Sequence, residues 1–315
     1  MTAVIPPITR LSSKIIRVLG CNPGEMTLQG TNTYIVGTGS KRILIDTGDA
    51  GVEKYIQNLH SVMTENKFAF SDIILTHWHH DHIGGVESIL KLNENKGCRV
   101  WKHPRSEVEE DSTFYANLSV SFLKNKQDIC VEGATLQVHH TPGHTTDHVV
   151  LLLNEEITEN SKSNGQCTHQ SNIEDKKHDL VLFSGDCVLG EGTAVFEDLY
   201  DYMRSLHHIL NLKPTIIYPG HGNVVRDPVE RIEYYIQHRN ERERQILEYF
   251  ESNPDKLLNT LDIVRNVYVG LSENLWPAAS VNVSQHLNKL RRENRVSEKI
   301  IHGEHLWTYR KESML

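Results

Sequence analysis

Apolar residues in the first half of the chain come in short runs set off by glycine and polar turns. Residues 14–19, 33–36 and 42–45 are rich in isoleucine and valine, with Gly37 and Gly39 between the last two, which predicts a meander of strands. Over residues 51–65 the spacing changes: Tyr55, Leu59 and Val62 fall on one face of a helix. Residues 72–76 then form an apolar strand that delivers the chain to a histidine-rich loop at His77. The cycle repeats with strands over 100–101, 136–140, 149–153 and 180–184, a helix over 197–210 and a strand over 216–218. Each half ends in a histidine loop, a topological echo that no residue-level repeat accompanies.

Residues 154–179 (NEEITENSKSNGQCTHQSNIEDKKHD) are polar and nearly free of large apolar side chains, and they separate two strands that look paired. A long disordered hairpin loop is expected there. Its Cys167, His169 and His178 lack the spacing of a metal site. Beyond residue 238 the pattern turns helical, over 241–251, 260–267 and 281–292, followed by short strands over 299–302 and 305–309 around Gly303. Three helices and a hairpin describe a winged helix. The organisation expected is therefore a first domain over 1–238 and a winged-helix-like domain over 239–315. On its third helix Val283, Leu287 and Leu290 share a face, while Lys289, Arg291 and Arg292, with Arg295 just beyond, project elsewhere. That basic group reads either as a solvated face or as a contact surface for phosphates.

Composition narrows the class. The chain has 315 residues, 38% hydrophobic and 23% charged, which is globular rather than disordered and long enough for one large domain with an appendage. No apolar run approaches the ~18 residues that a membrane helix needs. A net charge of -8 gives no overall attraction to nucleic acid. The charge is uneven, however: residues 1–238 hold 21 basic and 30 acidic side chains, and residues 239–315 hold 12 and 11. Cys21, Cys98, Cys130, Cys167 and Cys187 are scattered with no C-x-x-C, which argues against a disulfide framework and fits a reducing compartment. The N-terminus lacks the apolar stretch of a secretory signal. Arg10, Lys14 and Arg17, with no acid before Glu25, resemble a transit peptide, although residues 15–19 read equally as a first strand.

The chemistry concentrates in Thr76-His77-Trp78-His79-His80-Asp81-His82-Ile83-Gly84-Gly85. A zinc ion takes three or four nitrogen, oxygen or sulfur donors, and a tight loop after a strand can aim alternate side chains at two adjacent ions. Gly84 and Gly85 let the following helix pack close behind that loop. A single histidine is more often structural, but H-x-H-x-D-H has few other uses for so many donors. Thr141-Pro142-Gly143-His144, Ser184-Gly185-Asp186 and Tyr218-Pro219-Gly220-His221 each place another donor just past a strand. His148, four residues beyond His144, is a candidate for handling a proton or for a structural hydrogen bond.

The order H-x-H-x-D-H, TPGH, SGD, PGH resembles the metallo-β-lactamase superfamily over residues 14–235. The resemblance implies an α/β fold, an αββα sandwich of two mixed sheets flanked by helices, and two metal ions: zinc, with manganese or iron as alternatives. It implies that His77, His79 and His144 hold the first ion and Asp81, His82 and His221 the second, with Asp186 bridging them. Asp46, in the LIDTG stretch, would orient the ligand loop. Residues 18–24 (VLGCNPG), 26–34 (MTLQGTNTY), 184–192 (SGDCVLGEG) and 196–203 (FEDLYDYM), together with the winged helix, are similar to the β-lactamase-like protein 2 family, metal-dependent endoribonucleases of mitochondria. By that resemblance the substrate is single-stranded RNA, cut by a metal-bridging hydroxide that Asp81 helps to orient. Residence in the mitochondrial matrix goes with it, the cytosol being the alternative and secretion not expected.

The ligand set by itself does not choose the substrate, because one metal pair serves phosphodiesters, thioesters and lactams. The nearest enzyme rival is a thioesterase resembling hydroxyacylglutathione hydrolase; a mononuclear iron oxygenase of the same fold is another. A different class is a catalytically inactive nucleic-acid-binding module, which should lack ligands; here all seven positions are filled.

Overall fold

Side chains that alternate along a strand must find a partner layer on each face, and the strands here find two. The computed structural model describes residues 3–92, 96–105, 118–155 and 179–310. Among these, β1 (Ile8–Arg10), β2 (Ile15–Leu19), β3 (Asn32–Val36), β4 (Lys41–Ile45), β5 (Ala69–Leu75), β6 (Arg99–Lys102) and β7 (Val120–Phe122) form a sheet in chain order. A second sheet, ordered β12-β11-β10-β9-β8, contains β8 (Asp128–Val131), β9 (Ala134–His140), β10 (Val149–Glu155), β11 (Asp179–Gly185) and β12 (Ile216–Pro219). Both sheets are mixed: β4 to β7 run parallel, as do β11 and β12, and the other pairs are antiparallel.

The period-2 pattern sorts the core into layers. Tyr34, Val36, Ile43 and Ile45 point inward and meet Val149, Leu151, Val181 and Phe183 of the other sheet. Their neighbours point outward: Ile35 and Leu44 pack on α1 (Glu53–Asn66) through Tyr55, Leu59 and Val62. Val150 and Leu182 pack on the other flank, against helices described below. The result is the expected αββα sandwich.

Three strands escape the sequence pattern. β1, β7 and β8 are three or four residues long, too short to display alternation. Two short helices, α2 (His80–Ile83) and α3 (Val86–Leu90), follow the histidine loop. β10 and β11 pair in antiparallel register from Leu151–Phe183 to Glu155–Asp179. The expected disordered loop therefore begins and ends in strand, and its residues 156–178 lie outside the described residues.

The helix α4 (Leu199–Leu212) starts at Asp198, whose side chain accepts from the Asp201 N–H. The next helix, α5 (Pro228–Glu251), runs straight through the domain boundary expected at 238. Proline at its start is compatible with helix, and no glycine or proline interrupts it afterwards. Ile232, Tyr235 and Ile236 pack on the outer face of the second sheet beside Leu199, Tyr202 and Leu206 of α4. Ile246 and Phe250, further along, enter a separate core with Ile263, Val283, Leu287, Leu290 and Trp307. One helix thus belongs to both domains. The C-terminal core is completed by α6 (Thr260–Val267), with an Asn259–Asp262 capping box, α7 (Trp276–Arg292) and the hairpin β13 (Val296–Ile301) and β14 (Glu304–Tyr309). No helix among the described residues is long and apolar enough to cross a membrane.

Candidate metal centre

Four strands end at one edge of the two sheets, and each releases the chain into a loop bearing donors. His77, His79, Asp81 and His82 follow β5, His144 follows β9, Asp186 follows β11 and His221 follows β12. The folded chain gathers all seven into two adjoining groups, His77, His79, His144 and Asp186 in one and Asp81, His82 and His221 in the other.

The first group is a convergence of lone pairs. His77 Nδ1 lies 3.0 Å from Thr76 Oγ1, which itself donates to Asp46 Oδ2, so the ring nitrogen carries the proton and Nε2 carries the lone pair. His144 Nδ1 donates to the Val195 carbonyl at 2.7 Å, which leaves Nε2 in the same condition. Those two Nε2 atoms and His79 Nδ1 stand 2.9, 3.1 and 3.3 Å apart. The Nε2 atoms of His77 and His144, with no proton between them, repel at 3.3 Å. A tetrahedral ion about 2.0 Å from each donor holds the donors roughly 3.3 Å apart, so the arrangement fits a cation.

The second group has the same spacing. Asp81 Oδ2 is 3.2 Å from His82 Nε2 and 3.2 Å from His221 Nε2, and those two Nε2 atoms are 3.3 Å apart. Asp186 stands between the groups, with Oδ1 3.4 Å from His82 Nε2 and Oδ2 3.3 and 3.7 Å from His221 and His144. Its Oδ1 is buried without a hydrogen-bond partner, a cost that a cation would remove.

Supports behind these donors come from distant segments. Asp46 accepts from the Thr76 backbone N–H and hydroxyl and from His82 Nδ1, holding loop and ring together. Thr31 donates to Asp81 Oδ2 at 2.8 Å and is itself held by Asn22, a contact hidden in the CNPG and GTN stretches. Lys102 and Asp147 form a fully buried ion pair under the turn between His144 and His148. Of the two roles open to His148, handling a proton or making a structural hydrogen bond, the geometry gives the second, and its place among the catalytic residues is corrected accordingly. Its Nε2 accepts from the Asp186 backbone N–H at 3.1 Å, its Nδ1 faces Thr141 Oγ1 at 3.0 Å, and the ring is fully buried. With both nitrogens engaged it fixes the Asp186 main chain, and its one proton, on Nδ1, faces Thr141 rather than the donors.

Charge separates the two groups. Burial drives His77 and His148 well below the ordinary histidine range and His79 down to about 4. Burial also opposes charge on His82 and His221, but Asp186 and its neighbours outweigh it, raising His82 well above its usual value and His221 to about 9. The Asp81 and Asp186 carboxyls, although burial resists their ionisation, are held well below the carboxylate range by His82 and His221. Ligating imidazoles must be neutral, so metal uptake at about pH 7.5 is expected to release at least one proton, falling off above about pH 9 where His221 is already deprotonated. Calorimetry in two buffers of different ionisation enthalpy measures this; a release that is zero at both pH values would contradict it.

The basic residues of the third C-terminal helix also need correction. Lys289 is buried and its Nζ contacts Glu243 at 2.8 Å and Glu293 at 2.9 Å, so it cannot reach a phosphate. Arg292 bonds Asp198 at 2.9 Å and Asp201 at 3.3 Å, across the domain junction. Arg291 is half-exposed and pairs with Glu298, and Arg295 is partly exposed.

Residues 26–156 match the model of the metallo-β-lactamase superfamily, and residues 260–307 match that of the β-lactamase-associated winged helix domain. A β-lactamase domain protein from Burkholderia ambifaria shares the fold, with a TM-score of 0.71 at 15% identity over 96% of this chain and 93% of that one. Fold and donors together define a metal-binding hydrolase of the metallo-β-lactamase superfamily. The chain is 49% identical to the β-lactamase-like protein 2 homolog of Drosophila melanogaster over 99% of its own length and 100% of that protein's, and it belongs to that family. It is also 39% identical, over 77% of this chain and 67% of the other, to a protein of Aspergillus fumigatus named atrochrysone carboxyl ACP thioesterase.

Proposed function

We propose that the protein is an endoribonuclease that cleaves phosphodiester bonds of single-stranded RNA using two zinc ions. The observation that carries this reading is the seat of the winged helix, a nucleic-acid-binding plan, directly beside the ligand loops: Gln285 of α7 donates to the Glu197 carbonyl, and the Glu197 N–H bonds the Gly143 carbonyl next to His144. Bound there, the ions would supply Lewis acidity towards phosphoryl oxygens and would lower the pKa of a bound water. Asp81, fixed by Thr31 and kept ionised, would hold the second ion with His82 and His221 and could accept a hydrogen bond from an attacking water. Arg291 and Arg295, rather than Lys289 and Arg292, are left to meet the phosphates. Residence in the mitochondrial matrix goes with this reading through the family resemblance.

One observation favours a thioesterase instead. The cavity of about 260 Å³ at the donors is lined by Met26, Leu28, Leu189 and Val195, with Glu25 and Glu191 and, among the described residues, without lysine or arginine, a setting that suits an uncharged acyl chain. The thioesterase name of the Aspergillus relative points the same way. Zinc-loaded protein offered single-stranded RNA, S-lactoylglutathione and an acyl-pantetheine thioester side by side decides the matter. Internal cleavage of the RNA, lost on chelation, is the expected result; intact RNA with thioester turnover would overturn it.

A further inference from the structure

We infer that the winged-helix domain is a structural clamp on the metal centre, with Arg292 and Gln285 as positioning residues that act on His144 through the start of α4. The path is short and continuous. The Glu197 N–H bonds the carbonyls of Gly143 at 2.8 Å and His144 at 3.2 Å, and the Asp198 N–H bonds Gly143 at 3.0 Å, so this segment grips the ligand turn by its backbone. Two residues earlier, the Val195 carbonyl takes the His144 Nδ1 proton and fixes which nitrogen faces the ion. From the other domain, Gln285 Nε2 donates to the Glu197 carbonyl at 2.8 Å. Arg292 reaches Asp198 at 2.9 Å and Asp201 at 3.3 Å and lies over the Tyr200 ring, 3.9 Å from its centroid.

Within the first domain Arg239 holds the Ala194 carbonyl and Trp78 the Glu197 carboxylate, and the winged helix adds its hold at the α4 start. Asp198 and Asp201 bring two carboxylates to one helix turn, and the other cation near them, Arg204, stands 3.7 Å from Asp201 with its side chain largely exposed. Arg292 neutralises both acids while anchoring them. The turn being gripped has little freedom to adapt, since Gly143 packs so tightly on α4 that a Cβ there would lie 2.2 Å from the Tyr202 nitrogen. A shift of the α4 start away from α7 therefore carries Gly143 and the His144 ring with it.

The inference rests on metal occupancy at His144 but not on which ester is cleaved. Exposed ion pairs contribute little to stability, so the melting temperature of Arg292→Ala and Gln285→Ala should move little, and two other readouts test the role. In metal-free protein, amide exchange over residues 195–200 should speed up in both variants, because the segment that presents the Glu197 and Asp198 amides to the Gly143 and His144 carbonyls loses an anchor. In zinc-loaded protein, zinc loss to a chromophoric chelator should be about tenfold faster, the low end for groups that orient a metal ligand, with Arg292→Lys restoring most of the difference. Unaltered exchange and unaltered zinc loss in both variants would overturn the clamp alone. Wild-type protein that takes up no zinc would overturn it together with the metal-centre reading.

Discussion

Asp186→Ala is expected to yield a folded protein that retains neither full metal content nor measurable hydrolysis, with activity down roughly a thousandfold or more. Asp186 is the only carboxylate among the seven donors that stands against both groups, within 4.0 Å of His77, His82, His144 and His221. Its loss leaves the first group three neutral nitrogens and removes from the second the charge that offsets burial of His82 and His221. The fold should survive, because the β11 end is held by its neighbours: Gly220 N–H bonds the Gly185 carbonyl and Ser184 Oγ bonds the Val188 carbonyl. Metal analysis, circular dichroism and assays on RNA and thioester check the three parts together. A variant that keeps two ions per chain and full turnover would show that the shared carboxylate is not what joins the groups.

The donors were readable in the sequence because local spacing aims them: each follows a strand end by one to a few residues, and H-x-H-x-D-H is complete within one loop. Of what holds them, Asp46 was legible through the family resemblance, and the other supports were not readable because they are remote. Thr31 is 50 residues from Asp81, Val195 is 51 from His144, and Arg292 is 94 from Asp198. The same distance explains the basic helix. Periodicity places Lys289 and Arg292 off the apolar face, yet whether such a face meets solvent depends on a neighbouring element, here Glu243 on α5 and Asp198 and Asp201 at α4. His148 is a third case. Its place four residues after a ligand suggests reactivity, while the Asp186 N–H that occupies its Nε2 comes from 38 residues away. The boundary at 238 falls between Ile236 in the first core and Ile246 in the second, but it is a change of packing partner within α5 rather than a break in the chain.

Gly85→Ala is expected to destabilise the protein by about 2–3 kcal/mol and to weaken the second metal position with it. Conformation is not the reason, since Gly85 has φ -80° and ψ -7°, which any residue adopts. Space is: a Cβ there would sit 2.0 Å from the Thr47 carbonyl oxygen and 3.0 Å from its carbon, both backbone atoms that cannot swing aside. The segment it would push is the one that fixes the centre. The Thr47 N–H and hydroxyl both bond the His82 carbonyl, at 2.8 and 2.7 Å, and Asp46, one residue earlier, holds His82 Nδ1. Separating residues 46–48 from 82–85 therefore turns the His82 ring away from Asp81 and Asp186. Thermal unfolding of metal-free protein should show the lost stability, and zinc titration should show one of two sites weakened while the His77, His79 and His144 site is largely kept. If Gly85→Ala unfolds like wild type and binds both ions equally well, the loop accommodates a methyl group and the close packing of α3 behind it has no part in building the centre.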